Sequence, residues 1–320
     1  MLSDVLNPDL FASAIRIATP LALAAIGGTI CERSGIVNIA LEGMMLTGAF
    51  AGTAVALATG NTWLGVIAAV VAGAGLAALH AFASVTLKAD QVVSGTALNI
   101  LALGVTGYLM EVVYGHPGTT DPVTTLRPVF NFQGPTTGVL GVVFNWVDTV
   151  FLSYTPIVYV TVALAVFLQW AMYRTMWGLR LRALGEHPRA ADTVGISVTR
   201  GRYLAVMASG ALAGLAGANL TLEQVGTFTE NMTNGRGFIA LAANIFGRWT
   251  PVGSYLASLL FGFADALQVK LQIFRDVIQI PPQFFYMVPY VLTVIVLAGF
   301  MGRAMAPAAV GKPYEKEKAA

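Results

Sequence analysis

The residues best suited to nucleophilic, acid–base or metal chemistry are scarce and scattered. The three histidines, His80, His116 and His187, lie in distant segments, and the one cysteine is Cys31. No His/Asp/Glu cluster has metal-ligand spacing, and neither HExxH nor GxSxG occurs. A single cysteine excludes an internal disulfide framework and a multi-Cys metal site. No lysine sits in a GxxxxGK[ST] loop, since Gly311-Lys312 is followed by Pro313. The chain is therefore expected to do no covalent chemistry and to bind no metal or cofactor. Any ATP used in its work, with its Mg ion, would be hydrolysed by another chain.

The polar residues that do stand out interrupt long apolar stretches. The first interruption is Cys31-Glu32-Arg33-Ser34-Gly35-Ile36-Val37-Asn38-Ile39-Ala40-Leu41-Glu42-Gly43. It reads either as a cytoplasmic turn with its charges at headgroup level or as a broken helix near the membrane. In the second case its freed backbone groups must face protein or a water-filled cavity. The second interruption runs from Asn234-Gly235-Arg236-Gly237-Phe238 through Asn244-Ile245-Phe246-Gly247-Arg248-Trp249-Thr250-Pro251-Val252-Gly253. Short, Gly- or Pro-interrupted segments in both halves of a chain point to a pseudo-symmetric transporter, or else are two ordinary interfacial turns. Asn99 and Asn244 are polar positions in apolar helices that either line a pathway or bridge helices. Glu111 and Asp265 are acids within apolar stretches, where such groups are functional candidates by default. Asp265 also reads as a structural acid near the outer interface, and Arg16 can snorkel outward.

These segments need a lipid-embedded frame. The 320 residues are 56% hydrophobic and only 11% charged, against about 25% charged in soluble domains. That excludes disorder and argues against a water-soluble enzyme. A net charge of +2 gives no reason to expect nucleic acid. Stretches free of Asp, Glu, Lys and Arg predict an all-α polytopic membrane protein, because a span needs about 20 apolar residues. About nine crossings are expected (eight to ten), near 10–31, 37–59, 62–87, 91–113, 152–173, 203–222, 236–248, 252–270 and 284–302. The crossing at 236–248 is short and reads as a half-helix or re-entrant piece. Gly60-Asn61-Thr62 reads as a turn. Gly48-x-x-x-Gly52 and Gly210-x-x-x-Gly214 allow close helix packing.

Orientation follows the positive-inside rule. The loop 174–202 carries Arg174, Arg180, Arg182, Arg189, Arg200 and Arg202, and the tail 303–320 carries Arg303, Lys312, Lys316 and Lys318. Both are expected to be cytoplasmic. The Pro/Gly-rich loop 115–149 holds only Arg127 and is expected outside, which places the N-terminus outside as well. Residues Met1 to Leu10 lack a basic n-region and carry Asp4 and Asp9, so they are not read as a signal peptide. The whole of 1–320 reads as a single transmembrane domain in the cell membrane.

Within the basic loop, Glu186, Pro188, Ala190, Ala191 and Gly195 outline a short helix, with proline in the first turn and glycine at the end. Such a helix either docks into a partner or is simply solvated. Gly185-Glu-His-Pro-Arg-Ala-Ala-Asp-Thr-Val-Gly-Ile resembles the cytoplasmic loop of ABC importer permeases of the ribose and branched-chain amino acid class. Glu32-Arg-Ser-Gly-Ile-Val-Asn-Ile-Ala-Leu-Glu-Gly-Met-Met resembles the signature of its nucleoside (guanosine-type) uptake branch. Residues 235–253 and Leu260-Phe-Gly-Phe-Ala-Asp-Ala-Leu-Gln are similar to the same branch. The resemblance covers roughly 10–302, although ribose-type members begin with one extra helix absent here.

The resemblance implies a permease subunit that translocates nucleosides by alternating access. It implies a second, homologous permease subunit, an ABC ATPase subunit and an extracellular or periplasmic substrate-binding protein as partners. Coupling to the ATPase would fall to Gly185, Glu186, Pro188, Arg189, Ala190, Ala191 and Gly195. Asn38, Asn99, Asn244 and Phe246 are expected to line the pathway, Phe246 offering a face for a base. Glu32, Arg33, Glu42 and Asp265 are expected to support it. The alternatives are a permease for ribose, galactose or a branched-chain amino acid, and, from another class, an ion-coupled secondary transporter.

Overall fold

The computed structural model describes residues 7–130, 144–273 and 305–315, with isolated positions between 281 and 295. The expected crossing at 284–302, residues 131–143 of the loop expected outside, and Lys316 and Lys318 of the tail lie essentially outside the described residues. Among the described residues the regular elements are helices, with an isolated antiparallel bridge between Thr119 and Thr229.

The helices begin and end where local chemistry directs. Helix α1, Pro8–Arg33, starts with proline at its first position, and Asn7 Oδ1 accepts from Leu10 N at 3.2 Å. Helix α2, Leu41–Thr59, stops at Gly60, whose φ of +67° a side chain would resist. Asn61 then caps α3, Thr62–Ala81, by accepting from the amides of Trp63 and Leu64. A π turn, Phe82–Thr86, extends α3. Asp90 caps α4, Gln91–Tyr114. Helices α5, Pro156–Arg174, α6, Met176–Glu186, and α7, Pro188–Thr193, follow. Ser197 caps α8, Val198–Ala218, which continues in a π turn, Asn219–Val225. Helices α9, Arg236–Phe246, and α10, Pro251–Ile273, complete the described bundle.

Seven of these, counting the π extensions, are long and apolar enough to span a membrane, and α9 is the shorter apolar helix among them. Eleven residues rise only about 16 Å. The crossing expected at 236–248 is thus a half-helix, reached through a non-helical stretch, 226–235. That stretch pairs with the loop after α4: Thr120 N donates to Phe228 O at 2.9 Å and Glu230 N to Gly118 O at 3.0 Å. The loop 174–202 is mostly helical, and the eighth helix begins at Val198, five residues before the expected start.

Helix α1 is central, with 72% of its apolar window buried, whereas α4 is peripheral at 17%. Lipid tails are as apolar as leucine, so association depends on close packing rather than hydrophobic transfer. Glycines supply it. Gly48 of α2 lies against Gly214 of α8, and a Cβ there would come within 2.5 Å of the Gly214 Cα. Gly210 packs on Ala77 and Gly73 of α3, and Gly52 faces Gly65. The two small-residue motifs therefore form one seam joining α2, α3 and α8. Pro20 lies inside α1 and cannot donate to the Arg16 carbonyl. Gln224 Nε2 donates to that oxygen instead, at 2.9 Å.

Candidate functional site

The first interruption has no helical ladder between Arg33 and Leu41, so its backbone groups need other partners. They find them in side chains from three helices and in the main chain of the tail. Arg202 Nε donates to Ser34 O at 3.1 Å. Gly311 N donates to Gly35 O at 3.1 Å. Val37 N donates to Gln91 Oε1 at 2.7 Å, and His80 Nε2 lies 3.0 Å from Val37 O. A carbonyl only accepts, so Nε2 is the donor. Asn99 bridges with both ends of its amide: Nδ2 donates to Ile39 O at 2.9 Å, and Oδ1 accepts from Gly43 N at 2.8 Å. Asn38 is 0% exposed, and its Nδ2 donates to Ser209 Oγ at 2.9 Å. Gly35 adopts φ +98°, and a Cβ there would come within 2.6 Å of Arg202 Nη2. Protein groups thus satisfy several of the freed backbone groups of this segment, while Asn38 Oδ1, Gln91 Nε2 and Arg202 Nη2 are buried beside them without a hydrogen-bond partner among the described residues.

The two interruptions meet. Glu42, at the start of α2, accepts from Gly235 N at 2.8 Å and from Gly237 N at 2.6 Å. A carboxylate so placed caps the half-helix α9 and faces the positive end of its dipole. At the other end of α9, Glu32 accepts from the Trp249 indole. Arg33 Nε donates to Trp249 O at 2.7 Å, and Arg33 Nη2 lies 3.2 Å from Arg248 O and 3.3 Å from Tyr173 Oη. Thr29 Oγ1 lies 2.8 Å from both Asn244 Oδ1 and Ser254 Oγ. Arg248 and Trp249 both adopt positive φ, at +54° and +53°. Left-handed backbone at non-glycine residues costs on the order of 1–3 kcal/mol and clusters at functional sites. Asn244 is 0% exposed, and half-buried Phe246 stacks on Phe261 at 5.5 Å between ring centroids.

The basic loop joins this structure directly. Gly185, at the end of α6, packs on the Arg33 carbonyl, too closely for a side chain. Glu186 Oε1 lies 3.9 Å from Arg33 Nη1. Pro188 opens α7, and Gly195 follows it with φ +83°. Ala191 is buried against Leu184 and Val198, while Arg189 and Ala190 face outward. Val194 is 74% exposed, a large apolar side chain at the tip of the loop. Asp265 is half-buried on α10, and Glu111 is exposed on α4.

Several anchoring residues carried no sequence signal of their role. Arg202 belongs to the basic loop by composition, yet it is 1% exposed. His80 and Gln91 look like ordinary helix residues. Glu223, in the π turn of α8, accepts from Thr155 Oγ1 at 2.8 Å and from Ile157 N at 2.9 Å, capping α5 from another helix. Among the described residues no three His, Cys, Asp or Glu side chains are grouped to hold a metal.

An apolar helical bundle crossed by interrupted segments, with buried polar side chains holding the breaks, is the architecture of a membrane permease. The chain belongs to the branched-chain amino acid transport system permease component family, which it matches over residues 10–297. It is a multi-pass membrane transport subunit, and the resemblance drawn from its motifs is borne out at the level of family. It is 43% identical over 314 residues to the guanosine ABC transporter permease protein NupQ of Bacillus subtilis, covering 94% of each chain. It is 38% identical over 308 residues to the nucleoside ABC transporter permease protein NupC of Lactococcus lactis, covering 94% of this chain and 95% of that one. TsgC13 of Haloferax volcanii, an ABC transporter permease named for glucose, is 38% identical over 263 residues, covering 81% of this chain and 76% of its own. No solved structure matches.

Proposed function

We propose that this chain is the membrane-spanning permease of an ABC importer for nucleosides, working by alternating access. Residues 1–320 form one permease domain, with loop 115–149 and the N-terminus outside and both loop 174–202 and tail 303–320 in the cytoplasm. A separate ATPase subunit binds and hydrolyses ATP with Mg, and this chain holds neither. A second, homologous permease subunit completes the pathway, and an external binding protein delivers substrate. The observation that carries the mechanism is the junction of Gly185 and Glu186 with Arg33. A push on α7 reaches the first interruption through the adjoining end of α6, where Gly185 and Glu186 meet Arg33. Arg33 passes it to Arg248 and Trp249 of the second.

The coupling segment on this reading is Gly185, Glu186, Pro188, Arg189, Ala190, Ala191 and Gly195, with exposed Val194 as an apolar anchor. Asn38, Asn99, Asn244 and Phe246 are the pathway positions. Asn38 and Asn244 are closed off here, so exposing them to substrate is what the conformational cycle must do. Glu32, Arg33 and Glu42 hold the segments together, with Asp265 as outer support.

The substrate class rests on what NupQ and NupC are named for. The name of TsgC13 makes a simple sugar the second reading. The test is reconstitution of the full complex in vesicles with ATP on the cytoplasmic side. Uptake of labelled guanosine, adenosine and uridine is compared with that of ribose, galactose, glucose and leucine. ATP-dependent nucleoside uptake supports the reading. Uptake confined to sugars or leucine overturns the substrate class. Uptake driven by an ion gradient without ATP, and lost in Asp265→Asn, overturns the ABC mechanism.

A further inference from the structure

The tail segment 305–315 is held against the same end of the bundle as the basic loop. Its main chain is tied at several points: Ala309 N donates to Gly185 O at 2.8 Å, Gly311 N to Gly35 O at 3.1 Å, and Lys312 O accepts from Arg202 Nη1 at 3.1 Å. Pro307 and Ala309 are buried. The Tyr314 side chain packs on the cluster of Leu184, Ala191 and Val198, which is the underside of α7. Ala308 N donates to Glu186 Oε2 at 3.2 Å, and Lys88 pairs with Glu315 at 2.9 Å. Between α7 and the tail lies a groove of about 680 Å³. Glu186, His187, Pro188 and Arg189 line one side, and Lys312 and Glu315 stand on the other.

Solvated chain ends are rarely tied down by main-chain hydrogen bonds to three separate elements. Here the ties run to the α6–α7 elbow, to the first interruption and, through buried Arg202, to α8. The groove carries both signs of charge on both walls, a surface suited to a polar, charged protein partner. It opens beside Arg189 and Ala190, the outward residues of α7. We propose that residues 305–315 form the second wall of the seat for the ATPase subunit, with α7 as the first. The tail also props α7 from beneath and carries its displacement to Gly35 and Arg202. This inference rests on the docking role given to α7 above and extends it to a segment that role does not include.

The test places the photo-crosslinker benzoylphenylalanine at Ala190 or at Pro313 in the assembled complex, both positions being exposed. Cross-links to the ATPase from both positions are the expected result. Cross-links from Ala190 alone overturn the tail wall and leave the α7 reading standing. Cross-links from neither overturn both. A second measurement uses Lys312→Ala, which keeps the main-chain carbonyl that Arg202 binds. Co-purified ATPase should fall about two- to five-fold, the scale of an exposed charge pair. Unchanged recovery with an unchanged melting temperature overturns a direct contribution of this side chain to the seat.

Discussion

Replacing Glu42 tests whether the two interruptions are one joint. Glu42 sits at the start of α2 and accepts the amides of Gly235 and Gly237, 193 and 195 residues away. Hydrogen bonds to charged groups contribute about 1.5–3 kcal/mol each in soluble proteins. Inside membranes the unfolded reference also finds partners, so the measured values are smaller. Glu42→Ala removes both bonds and strands two amides at the mouth of α9, for an expected cost of about 2–4 kcal/mol. Glu42→Gln keeps one acceptor oxygen and turns a donor toward the other amide, so it should cost roughly half as much. At roughly 2–4 °C per kcal/mol, Glu42→Ala should melt roughly 4–16 °C lower in detergent, with Glu42→Gln between it and the parent. Hydrogen exchange read by mass spectrometry should rise over 234–238 in both variants and remain unchanged at the capped start of α4. If both variants melt and exchange like the parent, Glu42 is a headgroup-level acid and the cap is not what holds α9.

Gly214→Val should disrupt the seam of α2, α3 and α8, because a side chain there meets the Ala69 carbonyl and Gly73. The expected cost is about 1–3 kcal/mol and a loss of monodisperse protein on size exclusion. Gly75→Val, which faces open space, is the control, and equal behaviour of the pair would refute the seam. Arg202→Lys should loosen the tail, since one ammonium cannot span Ser34 O and Lys312 O as the guanidinium does. Protease cleavage within 305–315 should then rise severalfold, and parental resistance would count against the pin. Lys88 holds the Glu315 carboxyl below its ordinary value. A depressed carboxyl stabilises above the unfolded value near about 4.3 and loses that contribution as pH falls through its lower folded value. Both side chains are exposed, so Glu315→Gln at pH 7 should leave the melting temperature within about 1 °C. A larger drop would mean that the tail depends on this pair more than its exposure implies.

Much of the frame was legible in composition and periodicity. Stretches free of charge marked the spans, and Gly60-Asn61 marked a turn that the structure builds with φ +67° and an asparagine cap. The shortness of 236–248 already indicated a half-helix. What sequence could not supply was partnership at a distance. His80 and Gln91 each satisfy backbone groups of the first interruption, yet nothing in their neighbours distinguishes them from other polar helix residues, whereas Asn99 stands out as a polar position in an apolar helix and bridges to the same segment. Arg202 falls among the charges that set orientation, because charge rules register residue type and not burial. Glu223 carries no signal because it follows an apolar helix that the spacing ends at Leu222. The π turn that carries it onward has no such periodicity.

Buried charge in a membrane is costly, and the arrangement here shows how that cost is met. Each interruption frees backbone groups that a lone helix would leave bare, and each supplies side chains that the other lacks. Glu42 and Glu32 offer carboxylates where the second interruption presents the Gly235 and Gly237 amides and the Trp249 indole N–H. Arg248 and Trp249 offer carbonyls where Arg33 presents a guanidinium. Neither break would be stable alone in hydrocarbon, so each is a condition for the other. A joint of this kind is rigid while its contacts hold, and it can pass between discrete arrangements only as a unit. Arg33 links it to the basic loop, its side chain through Glu186 and its carbonyl through the Gly185 contact, and Arg202 of the same loop holds the Ser34 carbonyl. On the coupling proposed above, a force applied at α7 would pass through the end of α6 to both interruptions together, which is what a pathway lined by Asn38 on one side and Asn244 on the other would need in order to open.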